Sequence, residues 1–145
     1  MFIFALRATG SGVLPKIRFR MNRIFLLVGI GGFIGSILRY YSQQIVSRFF
    51  PSALPYGTLA VNVAGCLLIG IIYGLSERGN VLTPEWRVLL ATGFCGGYTT
   101  FSAFSYESVR LISDGEWFYV TQYIVVSIVA GLAATFIGMA ITKSM

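Results

Sequence analysis

A run of glycines, hydroxyl residues and aromatic rings lies at residues 93–105, in the middle of an apolar segment. Glycine and threonine are poor helix formers, and a backbone group that leaves a helix inside a membrane finds no water to bond. Such backbone persists only where protein buries it or where it lines a polar cavity. Phe101 and Phe104 are three residues apart, so they share one face of the helix that resumes after the glycines. This pattern predicts a broken helix of the kind that forms ion sites in membrane proteins, with close helix packing by glycine as the alternative.

The segment that carries this run is the third of four apolar segments. They lie at about residues 24–46, 57–75, 86–112 and 117–141. Each is near the ~20 residues that an α-helix needs to cross a membrane. The first contains Gly31 and Gly35 at GxxxG spacing, and the second contains Gly70 and Gly74, which also favour close helix packing. We expect an all-α, multi-pass protein of the cell membrane with four transmembrane helices, the third broken near mid-span.

The composition agrees with a lipid environment. Hydrophobic residues make up 56% of the 145 residues and charged residues only 11%. A single domain of this length has too little interior to hide so much apolar surface from water. The sequence has no histidine, no paired carboxylates and no pairing of a nucleophile with a base, so we do not expect an enzyme.

The basic residues are concentrated at the N-terminus. The net charge is +6, but four of the 11 basic residues precede Met21, which leaves seven basic against five acidic residues. That remainder offers no basic face for nucleic acid, which we exclude as a partner. We interpret residues 1–22 as an extension that is disordered or precedes the true start codon. Residues 23–145 then form the four-helix transmembrane channel domain.

A few polar side chains inside the apolar segments could line an ion path. Asn62 needs a hydrogen-bonding partner in hydrocarbon and either ties two helices together or lines a pathway. Arg39 either extends to the membrane interface or faces a vestibule and attracts an anion. Tyr123 and Ser127 are four residues apart and therefore share a helix face.

Signals for helix ends flank the third segment. Thr83 has the character of an N-cap, followed by Pro84 at the first helical position and Glu85 at the positive end of the helix dipole. Residues 113–116 read as a turn. Near the end of the segment Glu107 and Arg110 are three apart, and we expect them to pair.

The basic residues after Met21 are almost equally divided between the two sides of the membrane. Four fall on one side and three on or toward the other: Arg23, Arg78, Arg87 and Lys143 against Arg39, Arg48 and Arg110. Because orientation follows the Lys/Arg asymmetry, so small a difference predicts insertion in both orientations. Two opposite copies would then form an antiparallel dimer through their glycine-rich faces. The basic extension, if translated, would make the ratio eight to three and dual insertion hard to sustain.

Three stretches together resemble the Fluc/CrcB family of fluoride channels: residues 35–40, 57–62 and 93–105. The resemblance extends over residues 21–145. It implies a fluoride-selective channel that passively exports fluoride across the cell membrane and protects the cell from fluoride toxicity. It also implies an antiparallel dual-topology homodimer with two pores and a structural sodium ion on the two-fold axis.

The resemblance further implies roles for single residues. Backbone carbonyls of Gly96 and Thr99 from each subunit would hold the sodium ion. The ion pathway would contain Asn62, Phe101 and Phe104, a polar track of Thr100, Ser102, Tyr123 and Ser127, and Arg39 as the family's first-helix arginine. Position 103 is alanine where a hydroxyl residue is expected. These residue types suit fluoride, because uncharged donors and the positive edges of aromatic rings can replace its water without trapping it.

A small multidrug exporter is the alternative, since it too has four spans and dual insertion. A proton-coupled exporter of that class needs a titratable carboxylate at the membrane midplane. The only candidate is Glu107, which lies at the end of the third segment. A membrane subunit that transports nothing, with polar residues that only tie helices together, is a further possibility.

Overall fold

The computed structural model describes residues 13–78 and 81–144, with side chains from residue 21 onward, and this part of the chain is entirely helical apart from its connections. The elements in chain order are α1 (Val13–Phe49), α2 (Tyr56–Glu77), α3 (Pro84–Arg87), a π-helix (Val88–Cys95), α4 (Gly96–Tyr98), α5 (Phe101–Ser113) and α6 (Trp117–Ser144). The predicted all-α class is confirmed.

In the part of the chain that the structure describes, three continuous helices are long and apolar enough to cross a membrane: Met21–Phe49, Tyr56–Glu77 and Trp117–Ser144. The predicted third transmembrane helix is not one helix. Between Pro84 and Ser113 the chain forms four shorter helical pieces, so the helix count differs from the expected four. The cause is local, because the glycines and threonines of this segment do not sustain a regular i to i−4 ladder.

The N-terminal boundary falls partly outside the described residues. Residues 1–12 of the proposed extension lie there, and from Val13 the backbone is helical and continuous with the rest of α1.

Both predicted helix-end signals are confirmed. The Thr83 side chain accepts a hydrogen bond from Trp86 N at 3.4 Å, with Pro84 at the start of α3 and Glu85 in its first turn. The turn between α5 and α6 contains Gly115 at φ 77°, a conformation that favours glycine.

The glycines bring backbones into contact within the chain. A Cβ at Gly31 would collide with Leu89 O, and one at Gly35 would collide with Phe94 O, so α1 packs directly on the π-helix. The second pair packs α2 against α6, since a Cβ at Gly70 would meet Thr135 O. These faces are therefore occupied inside the monomer. The prediction that two copies meet through them is wrong for these glycines, because a small-residue face can serve only one close partner.

Candidate functional site

The helix break lies at Thr99 and Thr100, inside the predicted stretch. Thr99 has φ −96° and ψ 160°, and Thr100 has φ −151° and ψ 113°, so two extended residues separate α4 from α5. The Thr99 methyl packs against Gly65 of α2, where a Cβ would collide with it. Residue 65 must therefore be very small for the break to approach α2.

Asn62 of α2 bonds both backbone groups of Thr100. Its Oδ1 accepts from Thr100 N at 2.8 Å, and its Nδ2 donates to Thr100 O at 3.2 Å. Buried backbone groups without partners are costly, especially in a membrane, and this amide supplies both partners at once. The sequence left two roles open for Asn62, a hydrogen bond between helices and a place along a pathway. The structure shows a hydrogen-bonded connection from α2 to the helix break. An NH2 group carries two N–H donors, so the second is not used by Thr100.

The same contacts divert the helical partners of two carbonyls. In a continuous helix Thr100 N would bond the Gly96 carbonyl, but here it donates to Asn62. Ala103 N would bond the Thr99 carbonyl, but it donates to Thr100 Oγ1 at 3.2 Å. Gly96 and Thr99 are the residues whose carbonyls we expected to bind a cation. In this structure side chains accept hydrogen bonds from the two N–H groups that would bond these carbonyls in a continuous helix.

An open groove of about 310 Å³ runs along the break. It brings together five of the eight predicted pathway residues, together with Thr99: Asn62, Thr100, Phe101, Phe104 and Ser127. Cys66 and Gly65 complete the polar and small part of its wall. The groove therefore combines one amide, hydroxyl groups and two aromatic rings on a largely apolar surface.

Ser127 differs from neighbouring hydroxyl residues of α6. Thr121 and Thr135 each donate to the carbonyl four residues earlier, at 2.9 and 3.0 Å. The Ser127 hydroxyl oxygen is buried and has no hydrogen-bond partner in the described part of the chain. Ser127 is one of the residues of the groove wall, and its hydroxyl is a donor that no described side chain or backbone group uses.

Three aromatic rings form a continuous line from the groove. The centroids of Phe101 and Phe104 lie 5.8 Å apart, and those of Phe104 and Tyr123 lie 5.2 Å apart, both pairs tilted. Phe101 is 80% exposed in the single chain, whereas Tyr123 is 1% exposed. The predicted shared face of the two phenylalanines is confirmed.

Glu107 is a polar centre whose partners the sequence did not reveal. Its Oε1 accepts from Thr58 Oγ1 and its Oε2 accepts from Tyr123 OH, both at 2.7 Å. The expected pair with Arg110 is wrong, because both carboxylate oxygens face the interior while Arg110 lies near Asp114 at 3.7 Å on the surface. Glu107 comes three residues after Phe104, and this continued spacing of Phe101, Phe104 and Glu107 was the available signal.

The remaining predicted residues lie apart from the groove wall. Ser102 is exposed and its hydroxyl is 3.2 Å from Thr100 Oγ1, and Gly96 is exposed in the single chain. Arg39 is half-buried on α1, and its Nε is buried without a hydrogen-bond partner among the described residues. Tyr123 reaches the groove only through the ring of Phe104.

Comparison with known proteins identifies the family. The family described as "CrcB-like protein, Camphor Resistance (CrcB)" matches residues 26–139. This chain belongs to the CrcB family. The match spans all four apolar segments, including the broken one, and supports a multi-pass membrane protein.

Several CrcB-related proteins are similar over nearly their whole length, and each is named "Fluoride-specific ion channel FluC". One from Chlorobium phaeobacteroides is 51% identical over 118 residues, which is 81% of this chain and 91% of the relative. One from Leptospira interrogans is 42% identical over 123 residues, 85% of this chain and 97% of the relative. One from Flavobacterium psychrophilum is 41% identical over 125 residues, 86% of this chain and 100% of the relative. These names do not favour a multidrug exporter.

Proposed function

We propose that this chain is a fluoride-selective channel that exports fluoride passively across the cell membrane and so protects the cell from fluoride. The observation that carries the proposal is the groove at the helix break, where uncharged donors and aromatic rings meet on an apolar wall. The family membership and the names of the relatives support the choice of fluoride. A channel of this kind is a transport protein and not an enzyme.

The groove offers hydrogen-bond donors that can replace the water molecules that fluoride loses when it leaves solution. Fluoride is small and binds its hydration shell strongly, so a narrow path must supply hydrogen-bond donors. The second N–H of Asn62 and the unpaired hydroxyl of Ser127 are such donors, and the edges of Phe101 and Phe104 carry partial positive charge. None of these groups bears a full charge, so the anion would bind and leave easily. Arg39 would attract anions from the side of α1, as the family resemblance implies.

A sodium ion is proposed at the break, with a structural role. Hard cations bind oxygen ligands, and side chains take the two backbone N–H groups that would bond the carbonyls of Gly96 and Thr99 in a continuous helix. Two carbonyls are too few for such an ion, but two chains would provide four. Bound there, the ion would offset the partial negative charge of converging carbonyls.

We further propose that four crossings of the membrane and an antiparallel homodimer complete the channel. The broken segment would provide the fourth crossing, as two half-helices joined at Thr99 and Thr100. The groove is open in the single chain and Phe101 is 80% exposed, so an inverted second copy would close the path. The near equality of basic residues on the two sides supports insertion in both orientations.

Fluoride efflux from liposomes tests this proposal. Purified protein is reconstituted into vesicles loaded with potassium fluoride, valinomycin carries the counter-charge, and an electrode follows fluoride outside. We expect rapid efflux that does not require a proton gradient, and loss of efflux with Asn62→Ala or Phe101→Ile. Gel filtration of each variant controls for misfolding. Wild-type vesicles that retain fluoride as tightly as protein-free vesicles would contradict the proposal.

A further inference from the structure

One chain of side-chain hydrogen bonds joins four helices near the groove. Gln43 of α1 donates through Nε2 to Thr58 Oγ1 of α2 at 3.0 Å, and Thr58 donates to Glu107 of α5 at 2.7 Å. Tyr123 of α6 donates to the other oxygen of the same carboxylate at 2.7 Å. Thr58 is 3% exposed and Tyr123 is 1% exposed, whereas Glu107 between them is half-buried.

The single hydroxyl proton of Thr58 sets the direction of the bonds on either side of it. Thr58 donates this proton to Glu107 Oε1. The Thr58 oxygen can then only accept from α1, which requires the NH2 side of the Gln43 amide to face it. Gln43 therefore holds the Thr58 proton on the Glu107 side. A hydrogen-bond acceptor in place of Gln43 would compete with Glu107 for the hydroxyl proton of Thr58.

Backbone packing keeps the Gln43 side chain within reach of Thr58. A Cβ at Gly57 would lie 3.0 Å from Gln43 O and 3.0 Å from Ser47 Oγ, which is tighter than ordinary contact. The absence of a side chain at Gly57 thus lets α1 and α2 meet where Gln43 bonds Thr58.

The carboxylate of Glu107, which joins Thr58 to Tyr123 in this chain of bonds, lies between a cavity and the groove. On one side Glu107 lines a polar cavity of about 320 Å³, whose other charged wall residues are Arg110, Asp114 and Glu116. On the other side its partner Tyr123 touches the ring of Phe104, which lines the groove. Thr58 and Tyr123 thus bond the two oxygens of one carboxylate, and Tyr123 connects this carboxylate to the groove wall through the ring of Phe104.

We infer that Gln43 is a positioning residue for the ion path: by fixing the Thr58 hydroxyl it holds Glu107, and with it Tyr123, beside Phe104. Gln43 touches neither the groove nor the anion. It acts on α5 and α6 from α1 through one hydroxyl group. This inference rests on the proposed fluoride conduction.

The test compares fluoride efflux by Gln43→Leu, Gln43→Glu and the control Gln44→Leu, whose side chain is exposed one position along α1. Gln43→Leu should slow efflux about five- to tenfold, the size expected when one partly buried hydrogen bond is lost. Gln43→Glu, which keeps the shape but adds a rival acceptor, should slow it at least as much. Gln44→Leu should conduct at the wild-type rate.

A double-mutant cycle separates positioning from simple packing. If Gln43 acts through the Thr58 hydroxyl, Gln43→Leu should have no further effect on efflux in a Thr58→Val background. Equal fractional losses in both backgrounds, or a wild-type rate for Gln43→Leu and Gln43→Glu, would overturn the inference while leaving the channel proposal intact. Wild-type protein that does not conduct would overturn the proposed function and this inference with it.

Discussion

The amide of Asn62 takes over hydrogen bonds that the helix backbone would otherwise make. It bonds both Thr100 N and Thr100 O, while Thr100 Oγ1 takes Ala103 N, so three backbone groups at the break have side-chain partners. These contacts leave the Gly96 and Thr99 carbonyls without helical donors. The side chains of Asn62 and Thr100 thereby stabilise the break together.

Replacing Ser127 distinguishes a role of its hydroxyl in conduction from a role in stability. Its hydroxyl makes no hydrogen bond among the described residues, so Ser127→Ala removes no hydrogen bond within that part of the protein. We predict an unchanged melting temperature in detergent, because no hydrogen bond is lost, and a several-fold slower fluoride efflux, because the groove loses a donor. Ser113→Ala is the matched control, since that hydroxyl is exposed and bonds only Val109 O of its own helix. Efflux at the wild-type rate by Ser127→Ala would show that this hydroxyl does not serve the anion.

At the scale of elements, the close approach of α1 to the π-helix positions the break. Gly31 and Gly35 allow backbone to meet backbone there, whereas Gly29 has nothing within 4 Å of its would-be Cβ. The two halves of the broken segment are held differently. The half before Thr99 packs on α1, and α5 is held mainly by α6 and by the bonds of Glu107.

This difference between glycines gives a paired prediction. Gly35→Ala should destabilise the protein by about 1–3 kcal/mol, the cost of overpacking, because its Cβ would collide with Phe94 O. Gly29→Ala should leave stability unchanged or raise it, since alanine favours a helix. Thermal unfolding in detergent measures both. The account of α1 packing fails if the two variants melt alike.

The sequence was sufficient to predict the break but not its partners. Three glycines and two threonines in one short window weaken any helix locally, so residues 93–105 could be singled out without tertiary information. Asn62 bonds Thr100, which is 38 residues away in the sequence, and Glu107 bonds Thr58, which is 49 residues away. Such contacts depend on how helices rotate about their axes. For the same reason the GxxxG faces were recognised as packing surfaces but assigned to the wrong partner.

At the scale of the whole molecule, two contacts show where basic residues lie relative to other helices. Arg78 at the end of α2 donates to Lys143 O at the end of α6, at 3.2 Å. Arg23 of α1 lines one cavity with Thr83 and Trp86 at the start of α3. Arg78 and Lys143 therefore meet at the C-terminal ends of α2 and α6, and Arg23 lies within α1 beside the start of α3. The proposed dual insertion rests on the nearly equal numbers of basic residues on the two sides.

The basic N-terminal residues provide a test of dual topology. A chain that starts at Met21 should insert in both orientations, because its basic residues divide four to three, whereas a chain with residues 1–20 should strongly favour one orientation. Paired C-terminal reporters, one active in the cytoplasm and one outside it, measure the two populations. Adding three lysines after Met145 to the shorter chain is the control and should also fix one orientation. A single orientation for the chain that starts at Met21 would contradict the antiparallel homodimer.

The most direct test of the central claim compares fluoride with chloride in the same preparation. Wild-type protein is reconstituted into vesicles loaded with both potassium salts, and ion-selective electrodes follow both anions after valinomycin is added. If uncharged donors and ring edges select for a small, strongly hydrated anion, fluoride leaves rapidly while chloride stays inside as it does in protein-free vesicles. Equal release of both anions, or retention of both, would contradict the account.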